Sequence, residues 1–277
     1  MPATGSDSGR VALVTGAARG IGAATVRELA RAGWSVLAVD AGEDDAAVPY
    51  PLASKAELEA VVSESANLAG AGAGAESRVG SFVADVRDVA ALAEAVAAAE
   101  SRWGGLDAAI ACAGVIAGGM PQWEVPQGEE QAVLDVDLGG VLNLARVAVP
   151  ALLRRPEPRA GRFLAVASAA AARGLPMLAA YCAAKAGVAG LIRALAVELG
   201  PTGVTANAVS PGSTHTAMLA ATARLYGLGG PQDFAAQQPA GRLLDAAEIA
   251  AVLAFLAGPG SSGMTGAVIP VDGGLAL

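Results

Sequence analysis

Thr15-Gly16-Ala17-Ala18-Arg19-Gly20-Ile21-Gly22 follows the run Arg10 to Val14 and leads straight into a stretch where Val26, Leu29, Ala30 and Gly33 recur at three- and four-residue spacing. The run before it reads as a strand, and the stretch after it as a helix with one buried stripe and a glycine stop. Glycines between a strand and a helix let the backbone turn sharply and approach a pyrophosphate, whose charge the helix N-terminus and its free N–H groups stabilise. Trp34 to Val39 reads as a second strand, completing a βαβ unit, and Asp40 closes it. An acid there accepts hydrogen bonds from the adenosine ribose hydroxyls and repels a 2′-phosphate, so NAD is favoured over NADP. Arg19 has two readings, a cation that meets such a phosphate or a solvated loop charge.

Outward from this unit, strand-like runs alternate with helical stretches, the pattern of a parallel sheet covered on both faces. The further runs are Ser81 to Ala84, Ala108 to Ala111, Arg162 to Ala167, Thr205 to Val209 and Ala267 to Val271. Helices are predicted over Ala90 to Trp103, Glu130 to Leu153, Tyr181 to Leu199 and Ala246 to Leu256, the last with Asp245 as N-cap. The expected fold is α/β, one domain with a Rossmann-type doubly wound seven-stranded parallel sheet. Ala41 to Arg78 is too long for a simple connection and reads as an insertion. In it Pro49 and Pro51 flank Tyr50, and Ser54 with Glu57 forms a capping-box pattern before a helix through Val62. Its Ala/Gly-rich tail, Ala66 to Gly74, reads as a mobile linker.

Composition narrows the function. Of 277 residues, 54% are hydrophobic and the formal net charge is −8, which disfavours nucleic acid and anionic membrane as partners. Met1 to Arg10 is polar and Gly/Ser-rich, unlike a secretory signal, and no run reaches the roughly 20 uninterrupted apolar residues of a membrane span. A cytoplasmic protein is expected. Cys112 and Cys182 lack neighbours at metal-ligand spacing and read as reduced thiols, and the single histidine, His215, argues against a His-based metal site or triad.

Tyr181-Cys182-Ala183-Ala184-Lys185 places a phenol and an ammonium one helical turn apart on one face. A nearby ammonium and a positively charged nicotinamide would lower the phenol pKa from about 10, so that tyrosinate takes a hydroxyl proton at moderate pH. Ser168 closes the fifth strand, thirteen residues earlier.

With its TGxxxGxG turn, the chain resembles the short-chain dehydrogenase/reductase family from Arg10 to Gly274. That resemblance implies that Gly16, Arg19, Gly20, Ile21 and Gly22 cradle the cofactor and that Asp85 and Val86 contact adenine, Asp85 being equally readable as a helix cap. It makes Tyr181 the base, gives Ser168 a hydrogen bond to the reacting oxygen, and has Lys185 hold the nicotinamide ribose. The family's NNAG is here Ala111-Cys112-Ala113-Gly114, so Ala113 and Gly114 meet the cofactor through their backbone while two Asn side chains are lost. The family's Asn that helps a water relay near the Lys aligns with Asp137, whose charge favours protonated Lys185. Pro211, Gly212, Thr214 and Thr216 correspond to the segment that receives the carboxamide, with His215 pointing away or lining the substrate mouth. Met218 to Tyr226 fits a substrate lid, and Val271-Asp272-Gly273-Gly274 the family's subunit-contact region, which implies a homotetramer.

Several stretches resemble the mycofactocin-coupled branch of that family: Pro49-Tyr50-Pro51-Leu52-Ala53, Gly114-Val115-Ile116-Ala117-Gly118-Gly119 with Trp123, Asp137, and Ser210 to Thr214 running on to Met218-Leu219 and Leu225-Tyr226-Gly227. The branch resemblance implies that the insertion covers NAD, which stays bound and passes electrons to mycofactocin. Three other functions stay open at this point: an enzyme exchanging free NAD, a nucleotide-sensing regulator without chemistry, and an acyl-carrier-linked ketoacyl reductase. Leu175, Met177, Leu178, Met218 and Leu219 suggest a small hydrophobic alcohol or ketone as substrate, though core packing explains each equally well.

Overall fold

Strand β1 (Val11–Thr15) pairs in parallel with β2 (Ser35–Asp40) on one side and β4 (Ala108–Ala111) on the other. The structure, a computed structural model, describes residues 9–69 and 77–277. With β3 (Val79–Val83), β5 (Arg162–Val166), β6 (Thr205–Pro211) and β7 (Val268–Val271), these strands form one sheet in the order β3-β2-β1-β4-β5-β6-β7, parallel throughout. The order reverses between β1 and β4, and the carboxyl ends of the strands there open a crevice, the place where such sheets take ligands.

Alternation along β1 divides the core. Val11 and Leu13 face one layer, which includes α3 (Val89–Trp103), α5 (Gly140–Arg154) and α6 (Ala179–Leu199). Ala12 and Val14 face the other, with α1 (Gly20–Arg31), α2 (Lys55–Leu68) and α8 (Ala246–Ala257). Both faces are covered, so β1, β4, β5 and β6 are buried along their whole length, as their apolar composition requires.

Most predicted boundaries move by one or two residues. The insertion helix α2 runs past Val62 to Leu68, and its predicted capping box is present: Ser54 Oγ accepts the Glu57 N–H at 3.3 Å, and Glu57 Oε2 accepts the Ser54 N–H at 2.9 Å. Residues 70–76 of the predicted linker, and 1–8 of the N-terminal segment, lie outside the described residues. The helix expected over Glu130 to Leu153 starts earlier and is interrupted, α4 (Gln127–Leu134) passing through a π turn, Asp135–Gly139, into α5. Asp88 rather than Asp85 caps α3, its side chain accepting the Ala90 and Ala91 N–H groups. Asp245 is the N-cap of α8, where its N–H donates to Glu248.

By length and mean hydropathy Gln127–Arg154 and Ala179–Thr202 would each suffice to cross a bilayer, although neither is an uninterrupted apolar run. Both pack on the sheet and carry a charge into its crevice, Asp137 on the first and Lys185 on the second.

Candidate active site

The Gly-rich turn spans the crevice. Gly16 sits at φ +64°, where a Cβ would lie 2.6 Å from both N and Cα of Ala113, so the turn approaches the chain after β4 too closely for any side chain. Gly20 holds φ +53° and faces the Thr216 side chain, which brings the segment after β6 to the same spot. No side chain caps α1, leaving its first-turn N–H groups to an anion.

Asp40 stands at the end of β2, its carboxylate fixed by the Ala18 N–H at 3.0 Å and the Gly42 N–H at 3.3 Å. Burial pushes its pKa up, against those hydrogen bonds and the nearby Arg19 cation. Arg19 is not a solvated loop charge. Its guanidinium forks onto Glu57, with Nε to Oε1 and Nη2 to Oε2 both at 2.7 Å, and donates to the Pro51 carbonyl at 3.1 Å. A cation so neutralised is a weak lure for a 2′-phosphate.

Asp85 and Val86 line the cleft beyond β3. Arg87 grips the Asp85 carboxylate with its own N–H at 2.8 Å and with Nε at 2.9 Å, and it reaches Asp45 of the insertion at 2.7 Å. The insertion is therefore tied to the nucleotide end of the crevice at two places, one on each side of Tyr50.

After β4 the chain is held by side chains from β1 and the π turn. Thr15 Oγ1 accepts the Cys112 and Ala113 N–H groups at 3.3 and 3.4 Å, and Asp137 Oδ1 accepts the Val115 N–H at 2.7 Å. Gly114 is tight for a chemical reason, since a Cβ there would lie 3.2 Å from Asp137 Oδ2 and 3.5 Å from Lys185 Nζ.

The catalytic candidates converge at the same end of the sheet. Tyr181 and Lys185 rise from the first turns of α6, Lys185 Nζ lying 5.5 Å from the Tyr181 ring centroid, and Ser168 follows β5 with its hydroxyl beside the phenol. The Ser168 Oγ also accepts the Ala170 N–H at 3.1 Å, which fixes its rotamer. Lys185 Nζ donates to the Val166 carbonyl at 3.2 Å and stands 3.0 Å from Asp137 Oδ2, both side chains being buried. The π turn delivers Asp137 to this point, a use that recurs for such turns at functional sites.

Among the chain's own groups, burial pushes the Tyr181 phenol up and Asp137 adds to this, outweighing the Lys185 ammonium and the Ser168 hydroxyl. Lys185 behaves as expected. Burial pulls it down, but Asp137 and then Tyr181 outweigh that and raise it, while burial pushes the Asp137 carboxyl up against the pull of the Lys185 ammonium and the Val115 N–H.

Pro211, Gly212, Thr214 and Thr216 border the cleft. Thr214 Oγ1 donates to the Gly212 carbonyl at 3.0 Å, and Thr216 caps α7 (Ala217–Leu225) by accepting the Leu219 N–H at 3.2 Å. Buried Gln238, a residue without any local signal, holds the segment in place by accepting the Ser213 N–H at 2.7 Å and donating to the Arg242 carbonyl at 2.6 Å. His215 is exposed and points away from the cleft.

The cleft measures about 740 Å³ and continues past Tyr181 into an apolar compartment. Leu175, Leu178, Met218 and Leu219 line it as the sequence suggested. Met177 does not, because φ +61° turns its side chain to solvent while its carbonyl accepts the Gly119 N–H at 3.0 Å. Tyr50 of the insertion does line it, a residue the sequence singled out only as part of the insertion.

The glycine cradle, the uncapped helix start and the acid at the end of β2 fit a nicotinamide dinucleotide. Among the described residues no cluster of His, Cys, Asp and Glu could hold a metal ion. A family model described as enoyl-(acyl carrier protein) reductase matches residues 56–276. The chain is 35% identical to (-)-trans-carveol dehydrogenase of Rhodococcus erythropolis, over 97% of this chain and 98% of that one. It is 37% identical to cis-4-hydroxycyclohexanecarboxylate dehydrogenase of Sinomonas cyclohexanicum, over 96% of each chain. The crystal structure of carveol dehydrogenase from Mycobacterium avium in complex with NAD superposes with a TM-score of 0.89 at 33% identity, covering 98% of this chain and 99% of that one. With the sheet order, the Gly-rich turn and the Ser168, Tyr181 and Lys185 constellation already in place, the chain belongs to the short-chain dehydrogenase/reductase family.

Proposed function

We propose that this protein is an NAD-dependent oxidoreductase that interconverts a small, largely apolar secondary alcohol and its ketone, keeps its NAD under the insertion, and passes the electrons to a mycofactocin-type carrier. The observation that carries the reading is the convergence of Ser168, Tyr181 and Lys185 on a cleft whose nucleotide end is strapped by the insertion through Arg19 with Glu57 and Arg87 with Asp45.

Gly16, Gly20, Ile21 and Gly22 would hold the pyrophosphate with the start of α1, Asp40 the adenosine ribose, and Asp85 and Val86 the adenine. Ala113, Gly114, Lys185 and the Pro211, Gly212, Thr214 and Thr216 segment would hold the nicotinamide half. When bound, NAD supplies the two-electron acceptor for the hydride on the alcohol carbon. The residues of this chain handle the proton. Tyr181 Oη takes it from the substrate hydroxyl as phenolate, the Ser168 hydroxyl donates to the same oxygen, and the Lys185 ammonium stabilises the phenolate. Asp137 acts through Lys185: it fixes that side chain and holds it charged.

Captive NAD must be reoxidised in place, which calls for an acceptor that comes to the cleft. A regulator without chemistry fits poorly with three catalytic groups that all face the cleft. The test is turnover of cyclohexanols by dialysed protein with a dye acceptor and no added nucleotide. Steady dye reduction supports the reading, and activity that requires added NAD in proportion to its concentration points to ordinary exchange instead.

A further inference from the structure

Tyr50 lies in the insertion, between Pro49 and Pro51. Proline on each side restricts the backbone and removes two N–H donors, and the chain bends through Val48, Pro49 and Tyr50 outside any strand or helix. The phenol oxygen accepts the Ile116 N–H at 3.2 Å, a bond that ties the insertion to the loop after β4. Its side chain packs against the small apolar cluster of Ile116, Leu178 and Ala221, which Met218 and Tyr181 also cover. Tyr226, which packs against the same cluster, is pinned as well, its hydroxyl donating to the Pro176 carbonyl at 2.6 Å. Two fixed aromatic rings, from elements more than 150 residues apart in sequence, thus bound the compartment beside the catalytic phenol.

Burial raises the Tyr50 phenol above its ordinary value, so it stays neutral. Its part is one of shape. A compartment with pinned walls favours a rigid ring over a flexible chain, because neither partner has to be ordered on binding.

We propose that Tyr50 is a specificity-determining residue of the alcohol site, its ring forming the wall against which the body of an alicyclic alcohol or ketone is held. This rests on the cleft being the alcohol site, as argued above. The insertion then has two roles, since the segment that straps the nucleotide also sizes the substrate.

The experiment compares cyclohexanol with 4-tert-butylcyclohexanol on the holoenzyme, with nucleotide content measured for each variant and dye as acceptor. Tyr50→Ala should raise kcat/KM for the bulky alcohol relative to the small one by about tenfold or more, chiefly through KM, because filling or vacating even a methylene-sized space shifts selectivity by roughly 10- to 200-fold. Tyr50→Trp should move the ratio the opposite way, which keeps the proposal testable where Tyr50→Ala fails to fold. Tyr50→Phe keeps the ring and loses the Ile116 tether, and its ratio should stay nearer wild type than that of Tyr50→Ala. Variants whose two substrates change by one common factor would show a merely structural role and overturn the proposal. Ketone binding to the wild type, followed by saturation-transfer NMR, separates the two levels. Wild-type protein that binds neither ketone overturns the alcohol-site reading and the role of Tyr50 with it, whereas wild type that binds and discriminates while the Ala and Trp variants discriminate identically overturns the role alone.

Discussion

Asp137 and Lys185 are both almost wholly buried, 0% and 4% exposed in their side chains, and 3.0 Å apart. A buried pair of this kind stabilises little on balance, but removing one partner leaves the other charged and unpaired, at a cost of about 3–5 kcal/mol. The pair therefore acts mainly on the chemistry. Asp137 raises both Lys185 and Tyr181, so it holds the ammonium charged and delays formation of the phenolate. Because the phenolate is the form that accepts the proton, alcohol oxidation should rise with pH. In Asp137→Asn the carboxylate is gone while an amide oxygen can still accept the Val115 N–H, so the rising limb of kcat/KM against pH should move to lower pH. An unmoved or alkaline-shifted limb contradicts this role. Tyr181→Phe should lower kcat by about 10²- to 10⁴-fold while bound nucleotide stays near wild-type content, and unchanged turnover would remove Tyr181 as base. The identities and spacing of Ser168, Tyr181 and Lys185 were legible in the sequence. The degree of burial around the phenol was not, because it depends on packing between elements far apart in the chain.

At the scale of elements, the insertion is the feature that separates this chain from a plain doubly wound sheet. The start of α2 was readable, since Ser54 and Glu57 stand three residues apart in a local pattern. The second task of Glu57 was not, because its partner Arg19 lies 38 residues away across the Gly-rich turn. The Arg19 and Glu57 side chains are 34% and 41% exposed, so screening limits the bidentate pair to about 1 kcal/mol or less. Glu57→Gln keeps a capping side chain and removes the charge, and it should raise the nucleotide dissociation rate by up to roughly fivefold, read by stopped-flow chase. A rate equal to wild type would show that the strap is held elsewhere. Arg19 draws the Glu57 carboxyl down to about 2 from an ordinary 4.5. A carboxyl depressed in the folded state contributes its interaction fully above 4.5 and loses it as the pH falls through about 2. Nucleotide retention should accordingly be flat across the neutral range and fail only in acid.

For the whole molecule, alternation of apolar runs with helical stretches was enough to read seven parallel strands, because a sheet buried on both faces leaves little choice of composition. What local pattern could not provide was the convergence of the strap, the π turn and the Gln238 brace on one crevice, each of which depends on contacts far apart in the chain. We expect a homotetramer, in keeping with Val197 on α6 and Phe255 on α8, apolar side chains that are 81% and 52% exposed. Light scattering should give the mass of four 27.0 kDa chains, and a monomer would contradict it. If Ser168, Tyr181 and Lys185 work on NAD that does not leave, denaturing exhaustively dialysed protein should set free close to one NAD per chain. Protein that is empty after dialysis yet turns over freely with added NAD would rule captive NAD out.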